Sequence, residues 1–63
     1  MEAGDAVITN ARAFVQLYRD MQRVTPGCFV DAHAFLVWAL QDPSNSTRYW
    51  WNAYTYAHAL GML

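Results

Sequence analysis

Lysine is absent from this sequence of 63 residues, and its four basic residues are all arginines. Only 14% of the residues are charged, and the formal net charge at pH 7 is −1. A protein that binds nucleic acid tightly needs many cations to neutralise phosphates. The charge balance therefore argues against a nucleic-acid partner.

Cysteine occurs once, at Cys28, so no disulfide can form within the chain. A single thiol is typical of proteins in a reducing compartment. The first residues also lack the basic segment and long apolar segment of a secretory signal. We therefore expect a cytoplasmic location.

Long hydrophobic runs are missing as well. The longest nearly continuous apolar run, residues 32–40, contains a histidine. It is about half of the roughly 20 residues that a membrane-spanning helix needs. The sequence therefore predicts no transmembrane segment.

Hydrophobic residues are nevertheless abundant, at 56% of the chain. A chain of this length buries only about 60% of the surface that its unfolded form exposes. A monomer would have more apolar side chains than its core can hide. Because no internal disulfide can stabilise the fold, we expect a homo-oligomer, most simply a homodimer.

Proline and glycine interrupt the chain at residues 25–27, and proline with serine and asparagine interrupts it at residues 42–46. Three α-helices are predicted, at about residues 5–24, 31–42 and 44–60. We expect a single all-α domain over residues 1–63, a compact three-helix domain assembled as a helical homodimer.

The first predicted helix is amphipathic, because its apolar residues recur at helical spacing. The predicted inward residues are Val7, Ile8, Ala11, Phe14, Val15, Tyr18 and Met21. The opposite face carries Arg12, Gln16, Arg19 and Arg23. Guanidinium groups pair with carboxylates and phosphates, so these arginines are candidates for docking an acidic partner. The alternative is an ordinary solvated face, since Asp5 and Asp20 lie beside them.

The second predicted helix is apolar on almost every side, which is typical of a buried helix. Asp31 is predicted to cap its start, with Val30 packing on Phe35 as a hydrophobic staple. Two flanking helices would leave part of this helix uncovered. We expect that part to form the dimer interface, at Ala34, Val37 and Trp38.

The third predicted helix is rich in aromatic residues, which make up five of the eight positions 49–56. They cannot all face one core. The predicted inward residues are Trp50, Ala53, Tyr54, Ala57 and Leu60. Tyr49, Asn52 and Tyr56 follow one another at spacings of three and four on the other side. Tyrosine offers a large contact area and a polar tip, so this face is the predicted partner-binding surface.

The start of the third helix has several candidate caps. Asp42 followed by Pro43 matches an N-cap with proline at the first helical position. Ser44 and Ser46 are the alternatives.

Metal or catalytic chemistry has few candidate residues, namely Cys28, Asp31, His33 and His58. Their spacing matches no common ligand pattern, and a structural zinc site needs four ligands. A nucleophilic dyad would also need an orienting group and a cleft. We therefore expect no enzyme activity, no metal site and no cofactor.

The predicted function is a small non-enzymatic protein–protein interaction module. We expect a homodimeric regulator or inhibitor that binds and occludes a partner protein through the aromatic helix face, and a phage or another mobile element is a common source of such proteins. One alternative is a helix-turn-helix regulator with Thr47, Arg48 and Asn52 at the start of its recognition helix. The other is a protein that lies on a membrane surface through the aromatic third helix.

Overall fold

Three α-helices and no strand form the part of the chain that the structure describes. The computed structural model describes the backbone of residues 2–63 and the side chains of residues 6–63. The helices are α1 (Glu2–Val24), α2 (Ala32–Ala39) and α3 (Thr47–Ala59). The predicted all-α class with three helices is confirmed.

The first interruption of the chain is a short turn. The Thr25 N–H donates to the Met21 carbonyl oxygen at 2.9 Å, and the Cys28 N–H donates to the Thr25 carbonyl oxygen at 3.1 Å. Between them Gly27 has φ +78°, in the left-handed region that glycine adopts without steric cost. These contacts end α1 at Val24.

The connection from α1 to α2 is fastened by one side chain. The Gln22 Nε2 donates to the Phe29 carbonyl oxygen at 2.8 Å and to the Tyr18 hydroxyl at 3.1 Å. Because both acceptors are partly buried, this amide satisfies polar groups that water reaches poorly.

The start of α2 differs in one respect from the prediction. Asp31 is the N-cap, and its carboxylate accepts from the Ala34 N–H at 2.9 Å. The predicted staple is wrong, because Val30 is 90% exposed. The larger ring of Phe29 packs on Phe35 instead, with 5.3 Å between the ring centroids.

The end of α2 comes earlier than residue 42. After Ala39 the chain continues in tighter turns, in which the Gln41 N–H donates to the Trp38 carbonyl oxygen at 3.2 Å. The Asp42 N–H likewise donates to the Ala39 carbonyl oxygen at 3.3 Å. Bonds that span three residues are typical of the tighter 3₁₀ geometry, so the last predicted turn of α2 is not α-helical.

Asp42 closes the loop before α3 and does not cap the helix. Its carboxylate accepts from the Ser44 N–H at 3.0 Å and from the Ser44 hydroxyl at 2.8 Å. The N-cap is Ser46, whose hydroxyl oxygen accepts from the Tyr49 N–H at 3.2 Å. The helix therefore begins at Thr47, about one turn later than predicted.

The end of α3 turns the chain back towards α1. The Gly61 N–H donates to the His58 carbonyl oxygen at 3.2 Å, and the Met62 N–H donates to the Ala57 carbonyl oxygen at 2.9 Å. Gly61 has φ +72°, so this is a Schellman motif. It directs Met62 against the core.

The core lies where the three helices meet. Its buried residues are Ala11, Phe14, Val15, Ala32, Phe35, Leu36, Ala39, Ala53 and Ala57. Phe14 is central, with ring centroids 5.3 Å from Phe35, 5.9 Å from Trp50 and 6.0 Å from Tyr54. The buried residues of α3 are both alanines, which allow the aromatic rings of the other helices to pack close to its backbone.

Two residues predicted to face the core are exposed, namely Ile8 and Leu60. Leu60 is the C-cap of α3, where the chain is already leaving the helical path. Val37 and Trp38 are about half exposed, at the part of α2 that the sequence predicts two flanking helices to leave uncovered. Trp38 stacks one face of its indole on Phe35, at 6.0 Å between centroids, and leaves the rest of the side chain outside.

Candidate interaction surfaces

The first candidate surface, which we call the aromatic groove, lies between α3 and α1. Its lining residues are Val7, Asn10, Tyr49, Asn52, Ala53 and Tyr56, around a space of about 190 Å³. The sequence places Tyr49, Asn52 and Tyr56 on one face of the third helix, and the structure brings all three to this groove. Both tyrosines are exposed, at 43% and 44%.

Residues of α1 complete the aromatic groove, and the sequence analysis missed them as site residues. The Tyr49 hydroxyl donates to the Asn10 Oδ1 at 3.4 Å. Val7 precedes Asn10 by three positions, so both lie on one side of α1. That spacing was visible in the sequence, but nothing there indicated that this edge of α1 meets Tyr49.

The aromatic groove contains no charged side chain among its lining residues. Two phenols and two amides surround an apolar floor formed by Ala53. Such a surface can donate and accept hydrogen bonds while making apolar contacts. It is chemically suited to an uncharged part of a polypeptide.

The second candidate surface is the outer face of α2, the predicted dimer interface. Val37 and Trp38 are exposed there, and Ala34 is half-buried. The indole of Trp38 also contacts Phe29 at 5.5 Å between centroids, so the apolar surface extends to the segment before α2. We call Ala34, Val37 and Trp38 the α2 face.

The third candidate surface, the arginine groove, lies between α1 and the turn that follows α3. Its lining residues are Arg12, Val15, Gln16, Arg19, Gly61 and Met62, around a space of about 360 Å³. Arg23, which the sequence grouped with the other arginines, forms an ion pair with Asp20 and does not line the groove. The structure therefore brings Arg12 and Arg19 together and leaves Arg23 outside.

The two histidines lie beside Tyr54, and all three side chains line one pocket together with Asp31. The centroid of the Tyr54 ring is 5.8 Å from that of His33 and 6.3 Å from that of His58. Cys28 has different surroundings, with its thiol 3.7 Å from the Met21 carbonyl oxygen. Within the described part of the chain, no three histidine, cysteine, aspartate or glutamate side chains are grouped so that they could hold a metal ion.

Two further findings bear on the alternative functions. The loop from α2 to α3 covers residues 40–46, which is longer than the usual helix-turn-helix turn of about three or four residues. None of the helices in the described residues combines the length and the apolar character that crossing a bilayer requires.

Comparison with known proteins gives no relative of this chain. No protein-family model matches it, and no curated protein or solved structure is significantly similar to it.

Proposed function

We propose that this chain is a small non-enzymatic protein–protein interaction module, a homodimeric regulator or inhibitor that binds and occludes a partner protein through the aromatic groove. The observation that supports this proposal most is the exposure of Tyr49 and Tyr56 on either side of Asn52. In a chain this small, two tyrosines that do not belong to the core leave a substantial contact area for another molecule.

Tyrosine side chains are favourable binding residues for a physical reason. They have few rotatable bonds, so a large contact area is ordered at a small cost in conformational entropy. Tyr49 is already oriented by its hydrogen bond to Asn10, and its ring packs edge-on against Trp50 at 6.4 Å. A pre-oriented ring loses less freedom on binding than a mobile one.

The α2 face is the proposed homodimer interface. Its exposed residues Val37 and Trp38 are apolar, and Ala34 lies one turn before Trp38, so a second helix can approach closely there. A two-fold dimer places the same patch of both copies in contact. Each indole would then cover apolar surface of the other copy that is exposed in the monomer.

A capture experiment with matched variants tests the aromatic groove. The test variant is Tyr49→Ala combined with Tyr56→Ala. The control is Trp51→Ala, which also removes a half-exposed aromatic side chain from α3 but lies outside the aromatic groove. Tagged versions of the three proteins are expressed in the native host, and bound proteins are quantified by mass spectrometry.

We expect the tyrosine double variant to lose the partner that the unchanged protein and the Trp51→Ala control both retain. Circular dichroism and thermal unfolding should show that all three are folded. Capture of the same proteins in the same amounts by the double variant would show that this groove is not the binding surface.

A further inference from the structure

Arg12 and Arg19 lie on the same side of α1, seven positions apart. This spacing is two helical turns, or about 10 Å along the helix axis. Both side chains are exposed. The Gln16 side chain lies between them, so the arginine groove carries hydrogen-bond donors along its whole length.

Among the described side chains, the acidic residue next to the arginine groove is paired with residues other than Arg12 and Arg19. Asp20 is the nearest acidic residue in sequence to Arg19, and it is already bound to Arg23 and to the Gln16 Nε2, the latter at 2.9 Å. Among the described side chains, neither Arg12 nor Arg19 forms an ion pair. The groove therefore presents two guanidinium groups in a chain whose net charge is −1.

The opposite wall of the arginine groove is apolar and fixed in place. The Schellman motif at Gly61 holds Met62 against the core, and Val15 forms a buried floor. One Nη of Arg19 donates to the Met62 carbonyl oxygen at 3.4 Å. This bond orients the guanidinium group along the groove and leaves its other N–H groups free to bind a ligand.

We infer that the arginine groove is a second docking site, and that it binds an acidic segment of a partner protein. The segment would carry two carboxylates about 10 Å apart on one side, which a chain in the polyproline II conformation provides with acidic residues three positions apart, because three residues make one turn of about 9 Å. An apolar side chain between them would contact Met62. The arginine groove shares no lining residue with the aromatic groove, so either proposal can fail without the other.

Charge complementarity favours an acidic protein segment over a nucleic acid. Arginine forks pair with planar carboxylates through two parallel hydrogen bonds. A nucleic acid presents a long row of phosphates and needs a correspondingly long row of cations. The lining residues of the arginine groove include only two arginines, which is too few for such a row.

Titration with a defined peptide tests the inference. The probe is an eight-residue peptide, capped at both ends, that carries two glutamates three positions apart with a leucine between them. The matched control peptide has glutamine in place of both glutamates. Binding is followed by NMR on the ¹⁵N-labelled protein, through the backbone amides and the arginine Nε–H groups.

We expect the acidic peptide to shift the Nε–H signals of Arg12 and Arg19 and the amide of Met62, and the glutamine peptide to bind much more weakly. Arg12→Gln or Arg19→Gln alone should weaken binding about threefold, and the double variant about tenfold. Arg48→Gln should leave binding unchanged, because Arg48 is exposed on α3 and does not line the arginine groove.

Three results would overturn the inference: no binding of the acidic peptide, equal binding of the two peptides, or equal binding by the double variant. Tighter binding of a single-stranded oligonucleotide than of the acidic peptide, at the same ionic strength, would also overturn it in favour of a phosphate ligand. The variant with alanine at both Tyr49 and Tyr56 should still bind the acidic peptide, which separates this test from that of the aromatic groove.

Discussion

The hydroxyl of Tyr49 in α3 lies 3.4 Å from the Oδ1 of Asn10 in α1 and donates a hydrogen bond to it. This bond joins two helices at the surface, next to the space that we assign to a partner. Both residues line the aromatic groove. The contact therefore orients a side chain of the proposed partner-binding surface and lies outside the core.

The Tyr49→Phe variant tests this division of roles. An exposed hydrogen bond contributes little to folding, so we expect the free energy of unfolding to fall by no more than about 0.5 kcal/mol. Partner capture should weaken measurably for two reasons. The Tyr49 ring loses the hydrogen bond to Asn10 that orients it, and the groove no longer offers this hydroxyl group to the partner. Denaturant unfolding and quantitative capture are the two measurements.

Asn10→Ala is the complementary control, since it removes the same hydrogen bond from the side of α1. It should reproduce part of the loss of capture, because the Tyr49 ring loses its anchor while the phenol itself stays in place. A large loss of stability in either variant would show that the bond belongs to the core.

Phe35 and Trp38 should differ in how much each stabilises the fold. Phe35 is 2% exposed and contacts aromatic rings from all sides, so Phe35→Ala should cost about 3 to 5 kcal/mol. That cost could remove most of the stability of a small domain. Trp50, which is partly buried against Phe14, should show a cost at the lower end of this range when changed to alanine.

In a monomer, Trp38→Ala should lower the free energy of unfolding by less than Phe35→Ala does, because about half of the Trp38 side chain is exposed. In a dimer the cost should be larger and should depend on protein concentration. Denaturant unfolding at two protein concentrations distinguishes these cases.

The homodimer itself is tested by light scattering at micromolar concentration. We expect a mass of twice 7.2 kDa, and Val37→Glu should shift it to the monomer because it places a charge in the apolar α2 face. Thr55→Glu is a suitable control, since Thr55 is exposed on another helix. A monodisperse monomer of the unchanged protein that unfolds cooperatively would contradict the dimer.

The loop before α3 should make stability depend on pH. The backbone N–H of Ser44, and then its hydroxyl, hold the pKa of Asp42 below its ordinary value of 3.8. A carboxyl group with a lowered pKa stabilises the fold above the unfolded pKa, and this contribution is lost as the pH falls through the folded pKa. The contribution of Asp42 is therefore present at pH 7 and disappears in the acid range below about pH 4.

The Asp42→Asn variant can still accept hydrogen bonds but does not titrate. Its thermal midpoint should fall less than that of the unchanged protein between pH 5 and pH 3. Ser44→Ala removes only the hydroxyl donor. Its thermal midpoint should fall by an intermediate amount over the same pH range. Identical pH profiles for Asp42→Asn and the unchanged protein would contradict the role of this carboxylate.

The glycine at the end of α3 gives a further prediction. A Cβ at Gly61 would meet no heavy atom within 4 Å, but its φ of +72° is strained for other residues. Gly61→Ala should therefore cost about 1 kcal/mol through the backbone alone. Gly61→Asn should cost less, because asparagine tolerates this conformation better. Thermal unfolding measures both.

Local sequence signals predicted much of the fold. Helical periodicity placed Phe14 and Val15 in the core, and the carboxylate of Asp31 marked the start of α2. The same signals were ambiguous between Asp42 and Ser46, because both residues can cap a helix and only the loop geometry decides between them.

The candidate site was predicted only in part, because it depends on how helices meet. Periodicity grouped Tyr49 with Tyr56, but it does not indicate that Asn10 lies opposite them. Gly61 after the third helix was a visible signal for a C-cap. The groove that this C-cap forms between Met62 and the arginines of α1 can be recognised only from the tertiary structure.

Site-specific photocrosslinking in the native host tests the aromatic groove most directly. The photoreactive amino acid p-benzoylphenylalanine, which carries a benzoyl group where tyrosine carries its hydroxyl, replaces Tyr49 or Tyr56, and Thr55 serves as the control position. We predict crosslinks to one discrete partner protein from positions 49 and 56 and none from position 55. Crosslinks only to a second copy of the chain, at twice 7.2 kDa, or no crosslinks from either tyrosine position, would contradict the proposed partner-binding role.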